Sequence, residues 1–190
     1  MNYLKRVLMT FALLLSVIAV YAGGIKDATE LVAFATALNK GGDVSAFKNE
    51  KGEVCLESDI DMSKVKKFAP IKTFGGVFNG QGFALKNWKA QSGLIQELLE
   101  GGKVCNLRID ESCLMKVQTK GGESFVGWIA GINNGTIENC ENHGALEHKS
   151  NYTDGNIYVG GLVGSNRYVV YRCKNYGDVS SACVACTAEV

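Results

Sequence analysis

The sequence predicts an all-β solenoid of stacked repeat units, with a single helix before the first unit. Three observations predict it. Residues 125–146 lie over residues 158–179 without a gap, at an offset of 33. A fixed period of this size signals stacked structural units. The chain has 23 Gly and one Pro, a balance that suits a turn-rich β structure more than disorder or collagen. Short apolar stretches such as Gly76-Val77-Phe78, Phe125-Val126, Ile129-Ala130 and Leu162-Val163 sit between Gly and Asn residues, which is strand-length material between turn signals.

Within the repeat, Val126, Gly127, Gly131, Asn133, Cys140, Asn142 and Gly144 recur as Val159, Gly160, Gly164, Asn166, Cys173, Asn175 and Gly177. A shorter pattern (apolar, any residue, usually Asn, apolar) runs through Leu85-Lys86-Asn87-Trp88, Val104-Cys105-Asn106-Leu107, Ile137-Glu138-Asn139-Cys140 and Val170-Tyr171-Arg172-Cys173. The steps are 19, 33 and 33 residues. In a straight strand the first and last positions would face opposite ways, so the Asn marks a bend in a left-handed or turn conformation. Ankyrin and tetratricopeptide repeats have similar periods. They need two helices per unit, and Gly costs a helix interior about 1 kcal/mol, so a β-solenoid is preferred.

The one helix expected begins at Asp27-Ala28-Thr29-Glu30, a capping box. Leu31, Phe34, Ala35 and Leu38 then share one helical face, and Asn39-Lys40-Gly41-Gly42 ends it. A solenoid's open end invites aggregation unless covered, so this helix reads as a cap over residues 23–50, with the solenoid occupying 51–190. Residues 53–62 read as the strand and turn leading into the repeats.

Residues 1–22 form a secretory leader: Lys5 and Arg6, an apolar run from Val7 to Val20, then Val20-Tyr21-Ala22 before Gly23. The run is shorter than the roughly 20 residues a transmembrane helix needs, so cleavage after Ala22 is expected, with no membrane span in the mature chain. Loss of Lys5 and Arg6 lowers the formal net charge from +1 to −1. That balance gives no electrostatic case for nucleic acid or anionic membrane. The mature length suits one domain. Another repeat is due near Val190, so the chain is expected to continue into neighbouring repeats of a longer protein.

Val159-Gly160-Gly161-Leu162-Val163-Gly164-Ser165-Asn166 resembles the core of the GLUG repeat, and Phe125-Val126-Gly127-Trp128-Ile129-Ala130-Gly131 a more degenerate copy. Leu56-Glu57-Ser58-Asp59-Ile60-Asp61-Met62, Phe68-Ala69-Pro70-Ile71 and Phe74-Gly75-Gly76-Val77-Phe78-Asn79-Gly80-Gln81-Gly82 resemble the segment preceding such repeats. Asn79 stands where the family often has Asp, Arg167-Tyr168 where the first repeat has Asn134-Gly135, and Trp128 at the second Gly of the pair, which suggests drift in turn geometry. The resemblance implies a right-handed parallel β-helix-like solenoid, similar to secreted or surface proteins of Bacteroides-type bacteria, including adhesins and chains that carry metallopeptidase domains.

No catalytic, cofactor-binding or metal-binding residue is expected, and no cofactor. The seven cysteines are Cys55, Cys105, Cys113, Cys140, Cys173, Cys183 and Cys186. An odd number leaves at least one unpaired within a monomer. Cys183-Val184-Ala185-Cys186 lacks the βαβ setting of a redox pair and the further ligands of a zinc site. Cys140 and Cys173 share a position with Leu107, which marks an inward thiol ladder more than a disulfide. His143 matches Tyr176 in the repeat, so a catalytic pair with Cys140 is disfavoured against surface or turn packing. Asp59 and Asp61 lack the remaining ligands of a calcium loop. Asp110 and Glu111 have no base placed opposite them. The glycine run at Gly160 lacks the helix and Lys of a phosphate loop. Asn134-Gly135-Thr136 and Asn151-Tyr152-Thr153 match glycosylation sequons, relevant only in a eukaryotic secretory pathway.

The expected function is therefore an exported, non-catalytic, adhesin-like module, secreted or on the outer cell surface, that binds a glycan, a matrix protein or another cell. Alternatives are an accessory segment of a larger secreted enzyme, or a carbohydrate-active β-helix. Function in repeat scaffolds sits in loops, and the longest expected here are 115–123 and 147–156, the latter with Tyr152 and with Tyr158 nearby.

Overall fold

The computed structural model describes residues 23–151 and 155–183. Residues 1–22, where a leader is expected, Tyr152 and Cys186 lie outside the described residues.

The chain winds through five coils. Coil one holds β1 (Val54–Cys55), β2 (Ile60–Asp61) and β3 (Ile71–Phe74). Coil two holds β4 (Val77–Asn79), β5 (Ala84–Lys86), β6 (Lys89–Ala90) and β7 (Ile95–Leu98). Coil three holds β8 (Lys103–Cys105), β9 (Arg108–Ile109), β10 (Leu114–Thr119), β11 (Ser124–Val126) and β12 (Ala130–Asn133). Coil four repeats that plan in β13 (Thr136–Glu138), β14 (Glu141–Asn142), β15 (Ala145–Ser150), β16 (Ile157–Val159) and β17 (Val163–Asn166). Coil five holds β18 (Val169–Tyr171), β19 (Lys174–Asn175) and β20 (Val179–Cys183).

Strands from successive coils pair in parallel and form five sheets, one per face. The fold is a parallel β-solenoid. Successive inward residues on the first face are Val54, Phe78, Val104, Ile137 and Val170, so the coils are 24, 26, 33 and 33 residues long. The core is a set of such columns: Val54, Phe78, Val104 and Ile137 are at most 1 % exposed, and Ile60, Leu85 and Ile109 are wholly buried. Burial of each such side chain stabilises the fold by about 1.5–3 kcal/mol.

The corners depend on left-handed residues. Asn87, Asn106, Asn139 and Arg172 have φ of 55°, 54°, 52° and 52°. One such residue reverses the facing of the strand, so apolar side chains three apart both turn inward. Val104 with Leu107, Ile137 with Cys140, and Leu85 with Trp88 are all at most 1 % exposed. Asn tolerates this conformation better than most residues. It also stacks: Asn139 Nδ2 donates to Asn106 Oδ1 at 2.7 Å, and Asn106 Nδ2 to Asn79 Oδ1 at 3.0 Å. One expectation needs correction. Leu85 pairs with Ile109, and Val104 pairs with Phe78. The 19-residue step is therefore not a coil. Leu85-Lys86-Asn87-Trp88 marks the next corner of the same coil, because both corners have the same local geometry.

The helix α1 (Ala28–Asn39) lies against the first coil. Asp27 Oδ1 accepts from the Glu30 N–H at 2.9 Å, and Glu30 Oε2 from the Lys26 N–H at 2.8 Å. Leu31, Phe34 and Ala35 are buried. The Phe34 ring meets Phe74 and Phe78 at 6.2 and 6.3 Å, which closes the apolar end of the columns.

The left-handed corner can be tested at Asn139. Asn139→Val places a β-branched residue at positive φ and removes the ladder bond, and should cost about 2–3 kcal/mol. Asn139→Gly removes only the bond and should cost about 1 kcal/mol. Urea denaturation of both variants checks the order; equal losses would mean that φ is not the constraint.

Candidate binding site

The site arises from the change in coil length. Between Ala90 and Ile95 coil two needs only four residues. The matching stretch of coil three runs from Met115 to Ala130 and includes the end of β10, a turn at Gly121-Gly122 and β11. The segments 115–123 and 147–156, expected as loops, begin as strand, at 115–119 and 147–150: β10 and β15 pair over all six residues. Their alternation is strand-like, with Met115, Leu146 and His148 buried and Lys116 and Lys149 exposed.

This extension folds back over the face formed by β12 and β17, and the repeated glycines permit it. Gly127 and Gly160 make the tight turn from the extra strand: an added Cβ would come 2.6 Å from Ala130 O and 2.1 Å from Val163 O. Gly131 and Gly164 lie under it. A Cβ on Gly131 would come 2.8 Å from Gln96 O and 3.0 Å from Phe125 O, and one on Gly164 would come 2.5 Å from Val126 N. Side chains at these positions would push β11 away. In the shorter coils the aligned residues are Lys72 and Gln96, and no extra strand covers them.

The extension on coil three therefore overhangs coil two. Among the described residues β6 pairs only with Leu114 and Met115 of β10, and the sheet of β11 contains only β11 and β16. Under the overhang lies a groove of about 470 Å³, lined by Lys72, Thr73, Gln91, Gln96, Glu97 and Phe125 among others. A second depression of about 660 Å³ is lined by Lys116, Gln118, Lys120 and Lys149. The two share Gln91 and Val117, so they are two parts of one notch. Its inner end is closed where Leu94 N donates to Trp128 O at 2.9 Å. Trp128, a departure from the repeat, is wholly buried, meets Trp88 at 5.6 Å and donates from Nε1 to Gly144 O. It fills core and does not disturb the turn.

Within the notch, Phe125 stacks on Tyr158 at 5.0 Å and an interplanar angle of 7°. One face of the Phe125 ring is thereby covered, and the Arg167 guanidinium also lies over the ring. Tyr158 is 38 % exposed. Arg167 sits 5.8 Å from the Phe125 ring centre. On the floor, Glu97 Oε1 accepts from Asn134 Nδ2 at 2.8 Å.

The residues weighed from sequence lie elsewhere and have structural partners. Asp59 is held below the usual carboxylate range by Lys86 and the Ala84 N–H, Asp61 by the Ser63 N–H and Asn87, and Asp110 by the Ser112 hydroxyl. None of the three is poised as an acid. Cys55, Cys105, Cys113, Cys140 and Cys173 are free thiols. A hydrogen bond shared with Cys173, together with burial, pushes the Cys140 thiol up, and burial does the same at Cys55, Cys105 and Cys113. Raised thiols are poor nucleophiles. His143 stacks on Tyr176 at 4.7 Å, the packing role that the repeat implies. Among the described residues no group of three or more His, Cys, Asp and Glu is placed to hold a metal. The recurring Asn133 and Asn142 are buried, and their carboxamide oxygens accept from the N–H groups of Gly135 and Gly144.

Sequence reasoning missed His148. It is 2 % exposed in the extension, between Thr119 Oγ1 at 3.1 Å from Nε2 and Ser181 Oγ at 2.9 Å from Nδ1. Ser181 lies one 33-residue period after His148, and the repeat offset alone would have found it. Both ring nitrogens are engaged by hydroxyls, from Thr119 on β10 and Ser181 on β20, so the imidazole bridges three strands.

No protein-family model matches this chain, and no curated protein matches it. Among solved structures, it is similar to a Bacteroides ovatus protein described as a "putative immunoglobulin A1 protease", at 14 % identity and a TM-score of 0.45, over 86 % of this chain and 68 % of that one. A likeness of that degree bears on no activity.

His148 makes the extension sensitive to pH. Burial lowers its pKa below the ordinary 6.5. The unfolded chain then binds the proton more tightly, so the stability held above pH 6.5 is lost as pH falls from there through the folded value. Thermal melts between pH 7.5 and 5 should show this fall in the wild type and a flatter profile in His148→Gln. Parallel profiles would exclude His148 as the source.

Proposed function

We propose that this chain is an exported, non-catalytic β-solenoid module that holds an extracellular partner in the notch, in the manner of an adhesin. The notch itself carries the reading: the lengthening of the coils leaves a ledge lined by Phe125 and open strand edges above a polar floor. Pre-formed concave sites with a few apolar and polar groups are the usual places for ligands. The leader at residues 1–22 and the resemblance to GLUG repeats support placement outside the cell, secreted or at the outer surface. The downward shifts of Asp59, Asp61 and Asp110 count against a general-acid role for them.

Two measurements test this. A reporter fused after Ala22 should be exported, and retention of the reporter inside the cell would remove the surface role. Labelled protein spanning residues 23–190 should bind a component of a glycan array or a panel of extracellular matrix proteins. Phe125→Ala should weaken that binding by about tenfold, the loss of one aromatic contact, with an unchanged far-ultraviolet spectrum. Binding indifferent to Phe125→Ala, or turnover of the bound component, would refute the reading.

A further inference from the structure

We propose that the occupant of the notch is an extended peptide segment of a partner protein, added as a parallel strand to the open edge of β11; the proposal rests on the binding-module reading above. Backbone polarity points to it. In a parallel ladder, alternate residues of a strand direct their N–H and C=O groups to opposite neighbours. Ser124 N donates to Asn156 O, and Gly160 N donates to Val126 O. Ser124 and Val126 therefore serve β16, and Phe125 directs its own N–H and C=O the other way. On that side the described residues add no further strand, and the space is the groove lined by Gln91, Ser92 and Gln96, where the exposed Gln96 side chain must swing aside to admit one.

The side chain agrees with the backbone. Tyr158 occupies one face of Phe125, directly in register. A strand placed one inter-strand spacing away on the other side, about 4.8 Å, would set its own central residue beside Phe125 in the same register. An aromatic residue there would continue the stack. Strand addition of this kind draws affinity from main-chain hydrogen bonds and selectivity from alternate side chains.

The other open edge in the notch differs. Proteins guard exposed edges with lysine, and β10 carries the exposed Lys116, with Lys120 following its end. β11 carries Ser124 and Phe125 and has no such guard. The inner end of the groove is shut by the contact of Gly93 with Gly127, where an added Cβ would lie 2.0 Å from Gly127 O. An added parallel strand must therefore enter past Glu123 and turn out to solvent after the residue opposite Val126. A glycan would use the Phe125 face and leave the Phe125 N–H and C=O without strand partners, and for that reason the peptide is favoured.

The register makes a specific demand. The residue after the one opposite Phe125 must donate its N–H to Phe125 O, so it is never proline. The N–H of the residue opposite Phe125 points away and is not needed.

A displayed random heptapeptide library, panned on residues 23–190 and counter-selected on Phe125→Ala, tests this. Enrichment of peptides with a central aromatic residue is expected. A synthetic winner should lose about tenfold in affinity when the nitrogen after the aromatic residue is methylated, the loss of one hydrogen bond. It should lose little when the aromatic residue's own nitrogen is methylated, and Phe125→Tyr should bind like wild type. Thermal melts of Phe125→Ala confirm that it folds. Equal effects of the two methylations would overturn strand addition. If no peptide is enriched but a glycan binds in a Phe125-dependent way, strand addition fails and the binding-module reading stands. If neither binds, both fail.

Discussion

The parallel ladder between coils is the constraint on which the rest of the structure depends. Each coil must place its strands one inter-strand spacing below those of the coil before, in register, or the inward columns lose their contacts. Val54, Phe78, Val104 and Ile137 stay aligned although the coils differ in length by up to nine residues. The added length enters away from the core, on one side between β6 and β7 or their counterparts, and other corners shorten slightly in return. A solenoid tolerates this because each coil contacts only its neighbours. Extra residues cost little where they leave the column, and would be ruinous inside it.

Polar side chains follow the same rule. At the long coils, the inward column of Phe74 and Leu98 continues as Asn133 and Asn166, and that of Leu85 and Ile109 as Asn142 and Asn175. Buried carboxamides are tolerable only when bonded. Each oxygen of Asn133 and Asn142 accepts from the glycine N–H two residues on, and each amide nitrogen donates to the next Asn at 2.7 Å. The repeat thus replaces apolar packing with corner-tying hydrogen bonds where the chain must turn into or out of the extension. The same glycines that let the extension lie flat expose the edge of β11 to the shorter coil above it.

How much of this was legible in the sequence varied by element. The fold class followed from an ungapped 33-residue offset, and the corner asparagines from two apolar positions three apart. Helix α1 followed from its capping box and one apolar face. These are local or strictly periodic signals. The first two coils were harder, because they are 24 and 26 residues long and the period fails there; hence the misplaced 19-residue step at Leu85. The strands β10 and β15 read as loops because Lys116, Gln118, Lys120 and Lys149 dominate segments with one apolar or buried face.

The sequence alone determined that units stack, where the chain bends and which side chains turn inward, since these depend on residue type and spacing along a few neighbouring positions. Tertiary structure alone decided the notch. It exists because a 26-residue coil lies above a 33-residue one, and because Gly131 and Gly164 let β11 and β16 lie close where Lys72 and Gln96 stand in the shorter coils. The open edge of β11 at Phe125 is set by which coil lies beside it. No local pattern around Phe125 carries that information, because Tyr158 sits in an equivalent segment with a neighbour already in place.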